Sequence, residues 1–170
     1  RASLRAQLAM VPQEPFLFSN TIHTGSGTPY GQDKAHAAEI LGEVARRVDG
    51  AFVNVRLPNL FGEHARPHYN TFVATFIDAI LKGEQPQVFD RAITLLHAQE
   101  AAETLIESLH AEATLLSPVG TPTSVATVYQ RLSDFNDCYR TRGEIPQLES
   151  PFEVALFNSF RAAMFPSHYP

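Results

Sequence analysis

Thr28-Pro29-Tyr30-Gly31-Gln32-Asp33-Lys34 is the stretch that decides how this chain folds. Pro29 suits the first turn of a helix, and the alanines and aliphatic residues after it continue that helix to about Val48. Tyr30 and Lys34 are then one helical turn apart on the same face. An ammonium group beside a phenol favours the phenolate, so the pair predicts a proton donor or acceptor that works near neutral pH. A tyrosine and a lysine on an ordinary helix surface fit the same spacing.

Two predicted strands flank this helix. The apolar run Pro15-Phe16-Leu17-Phe18 predicts a buried strand at 15–19, which leads into the polar residues Ser19-Asn20-Thr21. Ala51–Leu57 predicts the second strand, which Pro58 ends because proline cannot donate to a sheet ladder. Open α/β sheets bind their ligands beyond the carboxyl ends of the strands. Polar residues at these two strand ends therefore predict a ligand site.

Bulk properties exclude several classes of function. The chain has 170 residues, of which 44% are hydrophobic and 18% charged, and a formal net charge of -5. A mildly acidic chain without a basic run gives no reason to expect nucleic-acid binding. No apolar run approaches the ~20 residues that span a bilayer, and the lone Cys138 forms neither an internal disulfide nor a zinc motif. We therefore expect a cytoplasmic protein with one core and no metal.

The order of these residues resembles a known family, the extended short-chain dehydrogenase/reductases, which include the nucleotide-sugar epimerases, dehydratases and reductases. Their pattern is a strand ending in Ser-Ser-Ser/Thr, a short loop and then Tyr-x-x-x-Lys. The resemblance implies that Tyr30 is the catalytic proton donor or acceptor, that Lys34 holds the nicotinamide ribose, and that Thr21 hydrogen-bonds the reacting sugar oxygen. Asn20 replaces the middle serine of the triplet, which leaves Thr21 as the better catalytic candidate.

A second motif of the family follows the second strand. Arg56-Leu57-Pro58-Asn59-Leu60-Phe61-Gly62 resembles the family pattern Arg-x-x-Asn-x-x-Gly. The resemblance implies that Leu57 and Pro58 lie by the nicotinamide and that Asn59 touches the substrate. An asparagine in an ordinary turn fits Asn59 as well.

Later segments narrow the resemblance to one subgroup. Residues 66–76 and the tail from Pro151 resemble bacterial reductases that act on UDP-2-acetamido-2,6-dideoxy-hexos-4-ulose in capsule and O-antigen synthesis. Guanidinium is a fork-shaped donor suited to phosphate, so this loop suits a diphosphate and a sugar. Besides Asn59, the resemblance implies substrate contacts from four residues: Arg66, His68, Asn70 and Thr94. A solvated loop charge fits Arg66 equally well.

The predicted fold is α/β: the C-terminal portion of a Rossmann-like short-chain dehydrogenase fold with a small, mostly helical substrate-binding region. We expect residues 1–62 to form the catalytic part and 63–170 the substrate-binding region, with 84–118 returning to the sheet. Further predicted elements are a helix at 1–11, a strand at 87–89, a strand at 92–96, and a helix from Thr123 to Arg140. The glycine-rich loop that binds NADP or NAD in the family has no counterpart here, so the sequence resembles the second half of such an enzyme.

The resemblance implies an NAD(P)-dependent reductase of a 4-keto nucleotide sugar in bacterial surface polysaccharide biosynthesis. An epimerase or dehydratase on the same scaffold is one alternative, although Ile22-His23 stands where dehydratases commonly carry an acidic pair. A cofactor-less binding or assembly module is the other, because without a Rossmann half Lys34 has no ribose to hold. Family members often dimerise through the Tyr-x-x-x-Lys helix and the one before it, so the resemblance is compatible with a homodimer.

Overall fold

The fold is a mixed α/β arrangement of parallel strands and helices. A computed structural model describes residues 16–21, 27, 29–69, 71–111 and 114–165, and the predicted helix at 1–11, residues 22–26 and Asn70 lie outside this part. Its strands are β1 Phe16–Thr21, β2 Phe52–Leu57, β3 Asn59–Phe61, β4 Ala92–His97, β5 Leu115–Leu116 and β6 Thr121–Ser124. Its α-helices are α1 Pro29–Arg47, α2 Phe72–Lys82, α3 Ala98–Ser108, α4 Val125–Phe135 and α5 Pro151–Met164. The predicted α/β class is confirmed.

The chain divides into two compact units. The first comprises the described residues up to Leu57 together with Ala102–Pro118, and the second comprises Pro58–Ala101 together with the described residues from Val119 onward. Residues 58–62, which we placed with the catalytic part, belong to the second compact unit. The functional division at residue 62 stays a prediction.

The first unit contains a parallel sheet in the order β1-β2-β5. Val53 and Val55 of β2 are almost fully buried, as expected of a strand with neighbours on both sides. Helix α1 connects β1 to β2 and ends at a turn in which Asp49 has a φ of 55° and the Gly50 N–H donates to the Ala45 carbonyl at 2.8 Å. The predicted helix and both predicted strands are confirmed to within a few residues.

The second unit contains the sheet β3-β4-β6 and most of the apolar core. Strand β3 runs parallel to β4, and β6 runs antiparallel to β4. Pro58 separates β2 from β3, which confirms that the second strand stops at this proline. Helices α2, α4 and α5 bury a single cluster whose fully buried members include Leu132, Phe135, Leu156 and Phe160.

One sequence-based prediction for the second unit is wrong, and another, the helix from Thr123 to Arg140, is confirmed to within a few residues. The strand predicted at 87–89 is irregular: Phe89 is 71% exposed, and Val88 alone of the three packs against the core cluster. The helix predicted from Thr123 begins at Val125, because Ser124 still belongs to β6 and caps the helix by accepting the Thr127 N–H at 3.1 Å. The same helix changes to π-helical geometry at Asn136–Thr141.

Candidate functional site

The carboxyl ends of β1 and β2 lie level with each other. The two parallel strands pair Asn20 with Arg56 and Thr21 with Leu57, and the second pair closes both strands. Ligands of open parallel sheets bind beyond such strand ends. The backbone therefore brings the predicted Thr21 and Leu57 together. The side chain of Thr21 lies outside the described part of the structure.

Helix α1 carries the predicted Tyr30 and Lys34 in its first two turns. Pro29 is its first residue, and the Gln32 side chain donates to the Gly27 carbonyl at 3.4 Å, which links the helix to the loop before it. Gly27 has a φ of 68°, a left-handed conformation that favours glycine. Lys34 is half-buried. The Tyr30 side chain lies outside the described residues, so its distance from Lys34 stays a prediction.

Residues that could hold a nicotinamide cofactor are present at the end of β2 and on α1. The Leu57 side chain is 5% exposed and Pro58 is buried, so both offer apolar surface at the end of β2. Lys34 is a half-buried cation, and ammonium groups donate readily to ribose hydroxyls. These groups suit the nicotinamide end of a dinucleotide. The described residues contain no glycine-rich turn for the pyrophosphate.

The structure brings Asn59 and Thr94 into contact. Asn59 pairs with Leu95 across the β3–β4 ladder, and its side-chain amide donates to the Thr94 carbonyl at 3.4 Å. Asn59 and Thr94 are both half-buried. Asn59 and Thr94 are 35 positions apart in sequence but lie next to each other in the second unit. Both were predicted to contact substrate.

Described residues between β3 and α2 line two cavities, and Arg66 contributes to both. The smaller cavity has a volume of about 280 Å³ and is lined by residues that include Phe61, Gly62, Glu63, Arg66, Tyr69 and Thr71. The larger cavity, of about 440 Å³, lies between these residues, α2 and α5, and is lined by residues that include His64, Arg66, Asp78 and Ser159. The Arg66 guanidinium lies 6.0 Å from the centre of the exposed Tyr69 ring.

Thr71 at the beginning of α2 carries an unusual hydroxyl group. It occupies the N-cap position, but its side chain makes no cap hydrogen bond. Its Oγ1 atom is buried and has no partner among the described residues. A helix N-terminus exposes backbone N–H groups and favours anions. Arg66 and Thr71, the N-cap residue of α2, thus lie at the wall of the smaller cavity.

His68, predicted to bind substrate, contacts Asp78, and its contact with substrate stays a prediction. Its Nε2 atom lies 3.3 Å from Asp78 Oδ2, which also accepts a hydrogen bond from Lys82 at 2.7 Å. The Lys82 ammonium, and then His68, hold the pKa of Asp78 below its ordinary value despite partial burial. The His68 N–H donates to the Thr75 hydroxyl at 2.9 Å, which fixes the end of the loop on α2.

A second histidine–carboxylate pair joins the ends of β3 and β4, and sequence reasoning missed it. His97 Nε2 lies 2.9 Å from Glu63 Oε2, and the two side chains are 13% and 31% exposed. The His97 ring packs edge-on against Phe61, with 5.3 Å between ring centres. No sequence signal indicated this pair, because the short strand β3 before Glu63 was not predicted and His97 lies 34 positions away.

Comparisons with known proteins identify the family. The model of the family described as "NAD dependent epimerase/dehydratase family" matches residues 8–115, which is more than half of the chain. The chain belongs to this family. A "UDP-2-acetamido-2,6-beta-L-arabino-hexul-4-ose reductase" of Pseudomonas aeruginosa is 30% identical over 95 residues, covering 55% of this chain and 26% of the reductase. The predicted resemblance is therefore confirmed.

Solved structures share the fold of this epimerase/dehydratase chain. The capsular polysaccharide assembling protein CapF of Staphylococcus aureus matches all of it with a TM-score of 0.83 at 24% identity, over 51% of CapF. The UDP-glucose 4-epimerase of Thermotoga maritima with UDP-glucose matches 88% of the chain with a TM-score of 0.72 at 16% identity, over 63% of that protein. The chain thus spans about half the length of CapF. Among its described helices, none is long and apolar enough to cross a membrane.

Proposed function

We propose that this chain is the catalytic and substrate-binding part of an NAD(P)-dependent reductase of a 4-keto nucleotide sugar, a UDP-sugar, in bacterial surface polysaccharide biosynthesis. The observation that carries the proposal is the level pairing of Thr21 with Leu57 at the ends of β1 and β2. Helix α1, which begins at Pro29, then presents Tyr30 and Lys34 in consecutive turns. The names of the Pseudomonas reductase and of CapF support the sugar chemistry and the capsule role.

Each residue of this site has a proposed part in the reduction. A nicotinamide cofactor, when bound, would supply the hydride for reduction of the C4 ketone. Thr21 hydrogen-bonds the C4 oxygen and orients the carbonyl. The Tyr30 hydroxyl gives its proton to that oxygen, so the ketone becomes a secondary alcohol. Lys34 favours loss of the Tyr30 proton and donates to the ribose, while Leu57 and Pro58 offer apolar surface to the ring.

The loop between β3 and α2 is the proposed nucleotide-sugar contact. Arg66 and the N-terminus of α2 suit a diphosphate, because guanidinium and backbone N–H groups donate to anionic oxygens. We assign substrate contacts also to Asn59 and Thr94, which share one hydrogen bond, and to Asn70. His68, held by Asp78, would position the loop and meet the substrate at its edge.

The proposal includes the setting of the enzyme. NADP or NAD is the cofactor, bound by a segment outside these residues together with Lys34 and Leu57. The nucleotide sugar is the partner, with no role for nucleic acid or membrane, and the enzyme works in the cytoplasm. Homodimer formation through α1 fits the exposed Ile40, Val44 and Val48 side chains of that helix and the residue after it.

Replacing Tyr30 by Phe tests the proposal directly. In the natively expressed protein, turnover of a 4-keto UDP-sugar should fall by about 100-fold or more, because the proton donor is lost. The melting temperature should change little. Tyr139→Phe, the same chemical change at a ring that packs against Phe157, is the control and should keep full turnover.

Cofactor measurements separate this proposal from its alternatives. A reductase consumes one NADPH or NADH per sugar, whereas an epimerase or dehydratase shows no net consumption. Intact mass together with NADPH binding by fluorescence addresses the binding-module alternative. Retained turnover in Tyr30→Phe, or no saturable binding of either cofactor, would contradict the proposal.

A further inference from the structure

Glu63 is held in one orientation at the wall of the smaller cavity. Its Oε2 atom faces His97 Nε2 at 2.9 Å, and His97 in turn packs against Phe61. A methyl group on Gly62 would lie 3.0 Å from the Ala98 Cβ atom and 3.6 Å from His97 Nε2. The backbone before Glu63 thus lies close against the end of β4. Among the described residues, His97 is the hydrogen-bond partner that orients the Glu63 side chain.

The other oxygen of this carboxylate is left for a ligand. Within the described part of the structure, Oε1 of Glu63 has no hydrogen-bond partner, and Glu63 lines the smaller cavity together with Arg66. An ionised carboxylate only accepts hydrogen bonds. The cavity volume of about 280 Å³ is at the lower end for ligand sites, so it suits one sugar ring rather than a whole nucleotide sugar.

We propose that Glu63, positioned by His97, is a specificity-determining residue that selects a sugar without negative charge. It accepts a hydrogen bond from a sugar hydroxyl or amide N–H, and it repels a sugar that carries a carboxylate. Arg66 lines the same cavity, but a diphosphate would take up its charge. This inference rests on the proposed nucleotide-sugar function, which it deepens by naming the class of sugar.

Binding of three ligands to the natively expressed protein tests the selection. Isothermal titration calorimetry would give the Kd of UDP-N-acetylglucosamine, UDP-glucuronic acid and UDP. The wild-type protein should bind the neutral sugar nucleotide about tenfold or more tighter than the acidic one. The free energy of one hydrogen bond to a charged group corresponds to a ratio of Kd values of about this size. Glu63→Gln should bring that ratio close to one and leave the Kd of UDP within about twofold.

Variants of His97 test the positioning role. His97→Phe keeps an aromatic ring beside Phe61 but removes the donor, so the ratio of the two Kd values should fall about threefold or more. His97→Gln returns an N–H donor and should restore the ratio. A purely structural role would lower the melting temperature without this change in selectivity.

Glu84→Gln is the matched control, because it removes one carboxylate from an exposed position whose side chain makes no hydrogen bond among the described residues. It should leave all three Kd values unchanged. A wild-type ratio near one, or an unchanged ratio in Glu63→Gln, would overturn the role of Glu63 while the nucleotide-sugar proposal stands. No binding of UDP by the wild-type protein would overturn both.

Discussion

Replacing Glu153 by Gln should destabilise the second unit in a way that depends on pH. Glu153 lies in the first turn of α5, where its N–H donates to the Ser150 hydroxyl at 3.2 Å and Oε2 accepts the Glu149 N–H at 2.7 Å. Its Oε1 atom accepts from Arg131 Nε at 2.7 Å. Glu153 therefore caps α5 and connects it to α4.

The size of the effect follows from the burial of this pair. The Arg131 and Glu153 side chains are 31% and 19% exposed, so solvent screens the interaction only in part. Hydrogen bonds to charged groups contribute about 1.5–3 kcal/mol each. Gln keeps a neutral version of only one of the two, because its NH2 group donates and cannot accept. We expect a loss of about 1–2 kcal/mol near neutral pH, which corresponds to a fall in Tm of roughly 3–6 °C.

The sign of the pH dependence follows from the lowered pKa of Glu153. The Arg131 guanidinium, followed by the Glu149 N–H, holds this pKa below the value of 4.5 expected for the unfolded chain. The stabilisation is therefore complete above pH 4.5 and is lost as the pH falls through the folded-state pKa. The difference between wild type and Glu153→Gln should be largest near pH 7 and should shrink as the pH falls well below 4.5.

Urea unfolding followed by circular dichroism at pH 7, 5 and 3.5 would measure these free energies. Arg131→Met, which keeps apolar contact with Phe135, completes a double-mutant cycle with an expected coupling of about 1 kcal/mol. Glu84→Gln serves as the control for removal of an exposed carboxylate. A coupling below about 0.3 kcal/mol, or a difference that does not change with pH, would refute the reasoning.

Two further predictions concern packing in the second unit. Leu156→Ala should lower the free energy of unfolding by about 2–5 kcal/mol, because Leu156 is fully buried in the core cluster; a loss under about 1 kcal/mol in urea unfolding would contradict this. Gly120→Ala should cost about 1–3 kcal/mol or more, because its new Cβ would lie 2.5 Å from the Leu95 carbonyl oxygen. Gly83→Ala is the control for backbone strain, because Gly83 has a φ of 74° but open space around a new Cβ atom. An equal loss of Tm in Gly120→Ala and Gly83→Ala would refute the steric argument.

The local pattern of the sequence was enough to predict the elements that carry the candidate site. Apolar runs bounded by polar residues and proline predicted β1, β2 and the end of β2 at Pro58. Spacing also predicted α1 with Tyr30 and Lys34 in successive turns. These predictions are correct because periodicity, proline chemistry and helix starts depend on residues that are close together in the chain.

Contacts between distant residues could not be predicted in this way. Nothing near Glu63 in the sequence indicates His97, which lies 34 positions away, and nothing near His68 indicates Asp78 as its partner. Strand β6 was missed for a related reason, since Thr121–Ser124 pairs with β4 across a long separation. Sequence thus determined the helix and strand ends that present the predicted catalytic residues. Only the tertiary structure decided which side chains meet, because the register of neighbouring strands sets those contacts.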